Sequence, residues 1–329
     1  MTIFFATLTP MLTLFLCIAI GFVMAKAKIL PDSSGKTLAR LETWILCPAL
    51  SFITMVRYCT VDMLSINAVN LVMGTVTVVF SMIIAIVLAR LFVKEGGPER
   101  GVYAYALAFA NSSYVGDPLV MTLFGDAVLA YYKIFCLPIC LVIYTWGISA
   151  LTPKAEGKAS VLKGLLNAPT IAMLVGVAMG LTGMYRYMPQ FLISSLDSFK
   201  ACVGPVAMLL AGIAIARYDF LGMLKNKKVY LATFLRLVVI PAVLVFILFG
   251  IKTLLNQMFS LSIGNDVLFL CFFATAAALG LNTVIFPEAY NGNPETGASM
   301  AMVSHTLCVV TIPIIYAIMV AIFGNPFGM

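Results

Sequence analysis

Ten apolar runs follow one another along this chain, and each is about as long as a helix that crosses a bilayer, roughly 20 residues. Backbone polar groups find no water in hydrocarbon, so such a run is expected to be helical. Of the 329 residues, 62% are hydrophobic and only 10% are charged, whereas about a quarter of a soluble domain is charged. We therefore predict an all-α integral membrane protein with ten transmembrane segments, at residues 4–25, 38–57, 66–93, 101–124, 129–150, 165–183, 199–216, 229–250, 267–290 and 296–323.

Lysine and arginine are concentrated in alternate connections between these segments. Fourteen of the 20 basic residues lie in or beside the connections that follow segments 1, 3, 5 and 7. Because basic connections stay in the cytoplasm, both termini are predicted to lie outside, in a bacterial inner membrane or a plasma membrane. Segment 1 carries its basic residues after the apolar run, so we interpret it as a retained helix rather than a signal peptide. The fourteen are Lys26, Lys28, Lys36, Arg40, Arg90, Lys94, Arg100, Lys154, Lys158, Lys163, Arg217, Lys225, Lys227 and Lys228.

The chain divides into two halves of five segments. Residues 152–164 form a polar linker between a first repeat at 1–151 and a second at 165–329. An odd number of segments makes the second half enter the membrane from the opposite side, which predicts a 5+5 inverted repeat. A Pro-containing step recurs at equivalent places, at 47–50 and 204–207.

Segments 4 and 9 are each interrupted, at residues 110–118 and 280–287. Proline removes a backbone donor and pushes the residue before it towards extended geometry. We therefore expect two broken helices, with Pro118 and Pro287 at the breaks. Broken helices are tolerated in lipid mainly where they line a cavity, and paired breaks in corresponding halves indicate a transporter's binding site.

Residues 111–118, Asn-Ser-Ser-Tyr-Val-Gly-Asp-Pro, resemble the Asn-x-Gly-x-x-Gly-x-Pro element of the auxin efflux carrier family, with Ser113 in place of the first glycine. The resemblance extends through 167–169, 235–241 and 282–295. It implies crossed broken helices 4 and 9, a scaffold of helices 1, 2, 6 and 7, transport helices 3–5 and 8–10, and alternating access. It also implies a small organic anion as substrate, a carboxylate such as malate or malonate or an auxin-like acid.

Polar residues around the two breaks are the candidate substrate-binding groups. Asn111 and Asn282 each offer donors and acceptors near the membrane core. The alternative is that these side chains only satisfy the broken backbone, as short polar side chains often do. The predicted set is Asn111, Ser112, Ser113, Gly116, Asn282 and Thr283.

Three ionisable residues are candidates for coupling transport to a proton or a sodium ion. Asp117 stands where the family element has an apolar residue, and a carboxylate inside a membrane segment is costly and usually functional. Its alternative role is a helix cap at a wet exit of the break. Glu288 lies nearer the cytoplasmic end, and His305, in segment 10, suits either proton transfer or a structural hydrogen bond. Lys133 and Arg236 are expected to reach the membrane interfaces by snorkelling.

Other classes of function lack support in the sequence. The eight cysteines form no metal-ligand spacing, and we find no P-loop, dinucleotide or nucleophile motif, so we expect no cofactor, no metal and no enzyme activity. The net charge of +7 reflects membrane orientation, and no nucleic-acid partner is expected. Gly176, Gly180 and Gly183 permit close helix packing, either inside the chain or in a homodimer. The prediction is a secondary transporter; the alternative is a channel-like or sensory membrane protein that uses the same helix crossing.

Overall fold

The structure is a computed structural model that describes residues 2–151, 166–217, 227–280, 282–283 and 295–328. Seven helices within these ranges are long and apolar enough to cross a membrane. The α-helices, in chain order, are α1 (Thr2–Lys26), α2 (Ser34–Leu41), α3 (Cys47–Tyr58), α4 (Leu64–Ala89), α5 (Pro98–Ala108), α6 (Asp117–Val142), α7 (Ile148–Leu151), α8 (Ala168–Leu181), α9 (Gln190–Ala216), α10 (Lys227–Phe234), α11 (Ile240–Phe259), α12 (Asp266–Ala276) and α13 (Glu295–Phe323).

Three π-helical turns connect neighbouring helices without ending the helical run, and a fourth, Ser112–Gly116, opens the run that α6 continues. The three are Glu42–Leu46, Ile143–Gly147 and Leu235–Val239. Such turns are frequent at functional sites, because the extra residue in the turn re-aims the side chains around it.

The ten predicted segments do not all appear as membrane-length helices in the described residues. Segments 4 and 9 are interrupted, so α5 and α12 have only 11 residues each. In segment 6, α8 has 14 residues. Segment 5 and the second half of segment 4 form one run, Ser112–Leu151, which turns at Gly125, where φ is 81°. Glycine adopts this backbone conformation without the steric cost that a Cβ brings.

One set of helices packs closely through glycine. α1 lies along α9, and α3 lies along α8. A Cβ atom at Gly21 would lie 2.3 Å from the Leu209 carbonyl oxygen, and one at Gly180 would lie 2.6 Å from the Cys59 carbonyl oxygen. Gly176 faces the Phe52 carbonyl in the same way. The glycine spacing of α8 therefore serves a contact inside the chain.

Replacing Gly180 with alanine is expected to separate α8 from α3 and to lower the free energy of unfolding by about 1–3 kcal/mol, the usual cost of overpacking. The measurement is the midpoint of thermal unfolding in detergent. Gly250→Ala is the matched control, because no atom lies within 4 Å of a Cβ at that position. Equal midpoints for the two variants would show that the α3–α8 contact does not need glycine.

A second set of helices forms the largest buried core. α4 packs against α5 and α6, and α11 packs against α12. The rings of Phe124, Phe273 and Tyr316 pack against one another with centroids 5.5–6.0 Å apart. Exposed apolar side chains cover the outer faces of α1 and α4, as expected for surfaces in contact with lipid; they include Leu12, Leu16, Val23, Val72, Val79, Ile83 and Val87.

The interruptions in segments 4 and 9 meet in space. α5 ends at Ala108, Phe109 is extended, and Ala110 forms an antiparallel β-bridge with Leu279. The Asn111 N–H donates to the Ala278 carbonyl over 2.7 Å. We call residues 109–111 and 277–280 the junction. Its backbone groups bond to each other, which is how a broken helix is tolerated inside a membrane protein.

The predicted place of one break needs correction. Pro118 lies in the first turn of α6, after the interruption, and not at the break itself. The helical run that contains this proline already begins at Ser112, so Pro118 lies within the run, directly after the π-helical turn Ser112–Gly116. The break is instead formed by the extended residues of the junction. Pro287, the other predicted break, lies outside the described residues.

Candidate functional site

A cavity of about 130 Å³ lies beside the junction, between the α3–α8 pair and α6. One wall is formed by the helices of segments 2 and 6, and the other by the junction, the turn at Ser112–Gly116 and α6. The polar residues that line the cavity are Thr43, Cys47, Ser51, Asn111, Ser112, Ser113, Tyr114, Asp117, Lys133, Cys136, Cys140, Asn167, Thr170 and Asn282.

Asn111 holds the start of the second half of segment 4. Its Oδ1 accepts a hydrogen bond from the Tyr114 N–H over 3.1 Å, as an N-cap residue does. Its Nδ2 is buried and has no hydrogen-bond partner among the described residues. The side chain therefore caps the half-helix through Oδ1, while Nδ2 is a donor buried in the wall of the cavity and unsatisfied by the described residues.

The helical turn that begins at Ser112 gives the cavity a positive end. The Val115 and Gly116 N–H groups bond to the Asn111 carbonyl, and the first amides of the turn have no acceptor within it. A helix N-terminus carries a partial positive charge and favours anions. Ser112 and Ser113, both at this end, line the cavity.

Asp117 and Lys133 form an ion pair in the cavity wall. The Lys133 Nζ lies 2.5 Å from the Asp117 Oδ2, and the two side chains are 12% and 3% exposed. The expectation that Lys133 snorkels to an interface is wrong, since its ammonium group is held inside by the carboxylate. Asp117 is likewise not at a wet exit. The pair is formally neutral and adds no net charge to the cavity wall.

Four predicted residues do not line the cavity, and their contacts explain why. A Cβ at Gly116 would lie 2.1 Å from the Tyr132 hydroxyl, so this glycine admits a buried tyrosine. The Thr283 hydroxyl donates to the Gly280 carbonyl over 2.8 Å. Pro118 packs against Gly204, and the buried His305 donates from Nδ1 to the Ala301 carbonyl over 2.7 Å. Glu288 lies outside the described residues.

The burial of two ionisable side chains, Glu42 and Arg236, was not predicted from the sequence. Glu42 is fully buried beside the cavity residue Thr43, and its Oε1 accepts only the Cys47 thiol, over 3.8 Å. Its other oxygen has no partner among the described residues. The sequence did contain a signal for Glu42, because a carboxylate inside an apolar run is the feature that drew attention to Asp117. Arg236 was expected to snorkel and is instead buried.

The described residues contain no group of three or more His, Cys, Asp or Glu side chains that could hold a metal ion. All eight cysteines are free thiols.

Comparison with known protein families also indicates a membrane protein. The family model described as membrane transport protein matches residues 6–161 and 154–316. No curated protein matches the chain. The two matched stretches together cover most of the sequence. The chain therefore belongs to the membrane transport protein family, the family of the auxin efflux carriers.

Proposed function

We propose that this protein is a secondary transporter that moves a small organic anion, a carboxylate, across the membrane by alternating access. The observation that carries the proposal is the cavity beside the junction, whose wall contains a helix N-terminus and the Asn111 side chain, with an Nδ2 that no described residue satisfies. The groups that would donate hydrogen bonds to an anion there are already fixed in place. Binding therefore requires little additional ordering of the protein.

The proposed coupling follows from the Asp117–Lys133 pair. A carboxylate substrate competes with Asp117 for the Lys133 ammonium, and a displaced carboxylate left unpaired in a buried wall is costly. Protonation of Asp117 removes that cost, so anion binding and proton binding support each other. A proton is therefore the proposed coupling ion.

The proposed moving parts are two helix sets. The scaffold set comprises helices of segments 1, 2, 6 and 7, in which α1 packs on α9 and α3 on α8. The transport set comprises the remaining segments and carries the junction. Because the cavity lies where the sets meet, a displacement of one set along the other would expose it to the two sides in turn. The inverted repeat and the placement of both termini outside belong to this proposal.

Counterflow in proteoliposomes tests the site. Asn111→Ala and Asn282→Ala are each expected to reduce exchange of a labelled mono- or dicarboxylate at least tenfold while membrane abundance stays near wild type, because each removes hydrogen bonds to a charged ligand worth more than 1 kcal/mol. Ser195→Ala is the matched control, since Ser195 is exposed on α9 and its hydroxyl bonds only the Phe191 carbonyl.

Two outcomes would contradict the proposal. Wild-type exchange rates and apparent affinities in both asparagine variants would place the substrate elsewhere. An ion current that grows with concentration and never saturates, in the absence of counterflow, would favour a channel.

A further inference from the structure

Arg236 is a buried cation for which the described residues provide no hydrogen-bond partner. It lies in the π-helical turn Leu235–Val239, between α10 and α11, and is 2% exposed. None of its three guanidinium nitrogens has a hydrogen-bond partner among the described residues. The neighbouring Thr233 hydroxyl is also buried and likewise lacks a partner in that part of the chain. Two donor groups thus lie close together in sequence with no acceptor.

Arg236 and Thr233 both line one small cavity. It has a volume of about 10 Å³ and shares no lining residue with the cavity beside the junction. Ala106 and Leu279 lie in its wall, whereas Ala110 and Gly280 lie in the wall of the larger cavity. The junction therefore separates the two spaces. The full lining is Ala106, Ala232, Thr233, Arg236, Leu279, Met300 and Ser304.

The Ser304 hydroxyl also lines this cavity, but it already makes two hydrogen bonds. The Ser304 hydroxyl donates to the Ala301 carbonyl over 3.0 Å and accepts from the Leu279 N–H over 3.0 Å. Met300, Ala232 and Ala106 offer only apolar surface or backbone. The carboxyl ends of α5 and α12 lie nearby and attract a cation, but a helix end offsets only part of the desolvation cost of a buried charge. Full compensation of the buried Arg236 charge therefore still requires a negatively charged group.

We propose that Arg236 and Thr233 form a binding site for one small monatomic anion, of the chemical class of chloride. A guanidinium and a hydroxyl supply donors, and charge-assisted hydrogen bonds of this kind are the strong ones. The small cavity has room for about one water-sized occupant, and a single halide ion is only slightly larger, whereas a carboxylate or a phosphate has three or more heavy atoms and is excluded. The site is separate from the proposed transport cavity, so it acts as a structural anion site behind the junction.

Thermal unfolding in different sodium salts tests this site on the purified full-length protein. At constant ionic strength, replacing gluconate with bromide or chloride is expected to raise the midpoint of wild-type unfolding in a saturable way, because a ligand that binds only the folded state stabilises it. Crystals grown in bromide are expected to show one anomalous scattering peak between Arg236 and Thr233.

Three variants separate the site from a general salt effect. Arg236→Met should abolish the halide dependence, and in gluconate it should unfold at or above the wild-type midpoint, since an apolar side chain replaces an unpaired buried charge. Thr233→Val should raise the half-saturating halide concentration about tenfold through loss of one hydrogen bond to a charged group. Arg186→Met, which removes an exposed guanidinium, should leave the halide dependence unchanged.

Clear results would overturn the proposal. Equal wild-type midpoints in gluconate and bromide, together with no bromide peak, would mean that the helix ends and water compensate Arg236. A halide dependence that survives in Arg236→Met would place the anion elsewhere. If Arg236→Met does not fold, unchanged half-saturation in Thr233→Val decides against the site. None of these readouts involves transport, so this proposal stands or fails apart from the proposed function.

Discussion

Asp117→Asn is expected to abolish accumulation of substrate driven by a pH gradient while substrate counterflow continues. The asparagine keeps an acceptor for the Lys133 ammonium, so the cavity wall retains its shape, but it cannot take up the proton that would release Lys133 to the anion. Counterflow needs reorientation of the loaded site and no net proton movement. Uptake into proteoliposomes with an imposed pH gradient, compared with exchange at equal pH, measures both.

Lys133→Met is the companion to this experiment and tests the pair from its other side. It leaves Asp117 buried without a cation, which typically costs about 3–5 kcal/mol of unfolding free energy. Adding Asp117→Asn should recover most of the loss, because the uncompensated charge disappears. Should Asp117→Asn protein concentrate substrate as well as wild type under the same gradient, Asp117 carries no proton and serves only the geometry of the wall.

Lys200→Met is expected to make the cavity accessible from the side of the membrane where Asp126 lies. The Lys200 Nζ lies 2.6 Å from the Asp126 Oδ2, which joins α9 to α6 just after the turn at Gly125. In the proposed division, α9 belongs to the scaffold set and α6 to the transport set. Asp126 and the cavity residue Ile143 lie about 25 Å apart along the helical run, at 1.5 Å per residue. We therefore expect the ion pair to close the end of the protein opposite Ile143.

A cysteine at Ser113 reports this change in a background without the native cysteines. Its labelling by an impermeant thiol reagent from the Asp126 side should increase about fivefold in Lys200→Met, the shift in population given by a pair worth about 1 kcal/mol. Arg57→Met is the matched control. Arg57 pairs with Asp197 over 2.6 Å, but α3 and α9 both belong to the scaffold set. Equal labelling in the two variants would mean that the Lys200–Asp126 pair does not act as a gate.

The class of fold could be predicted because membrane-length apolar runs are a local property of the sequence. The position of the break in segment 4 could not. Pro118 draws attention in the sequence, but the break occurs where residues 109–111 find hydrogen-bond partners at 277–280, far away in the chain. Local periodicity carries no information about that pairing.

The candidate site was predicted in part for the same reason. Asn111 and Asn282 stand out as amides inside apolar runs, and both line the cavity. Lys133 did not stand out, because its partner Asp117 comes within reach only after the chain turns at Gly125. The opposite wall was missed altogether. A single Thr43 in a helical turn, or Asn167 at the start of a helix, gives no sign of which neighbour that helix will face.

In the described residues, main-chain groups join the two halves of the junction. The bond from the Asn111 N–H to the Ala278 carbonyl uses no side-chain atom, so among substitutions at 111 only proline removes its donor. Architecture and selectivity are therefore separable here. The side chains at 113 and 282 line the cavity without supplying any hydrogen bond to the junction that the described residues show. In the proposed function, where this cavity binds the substrate, exchange of one or two of these side chains is expected to change the substrate preference and to leave the junction intact.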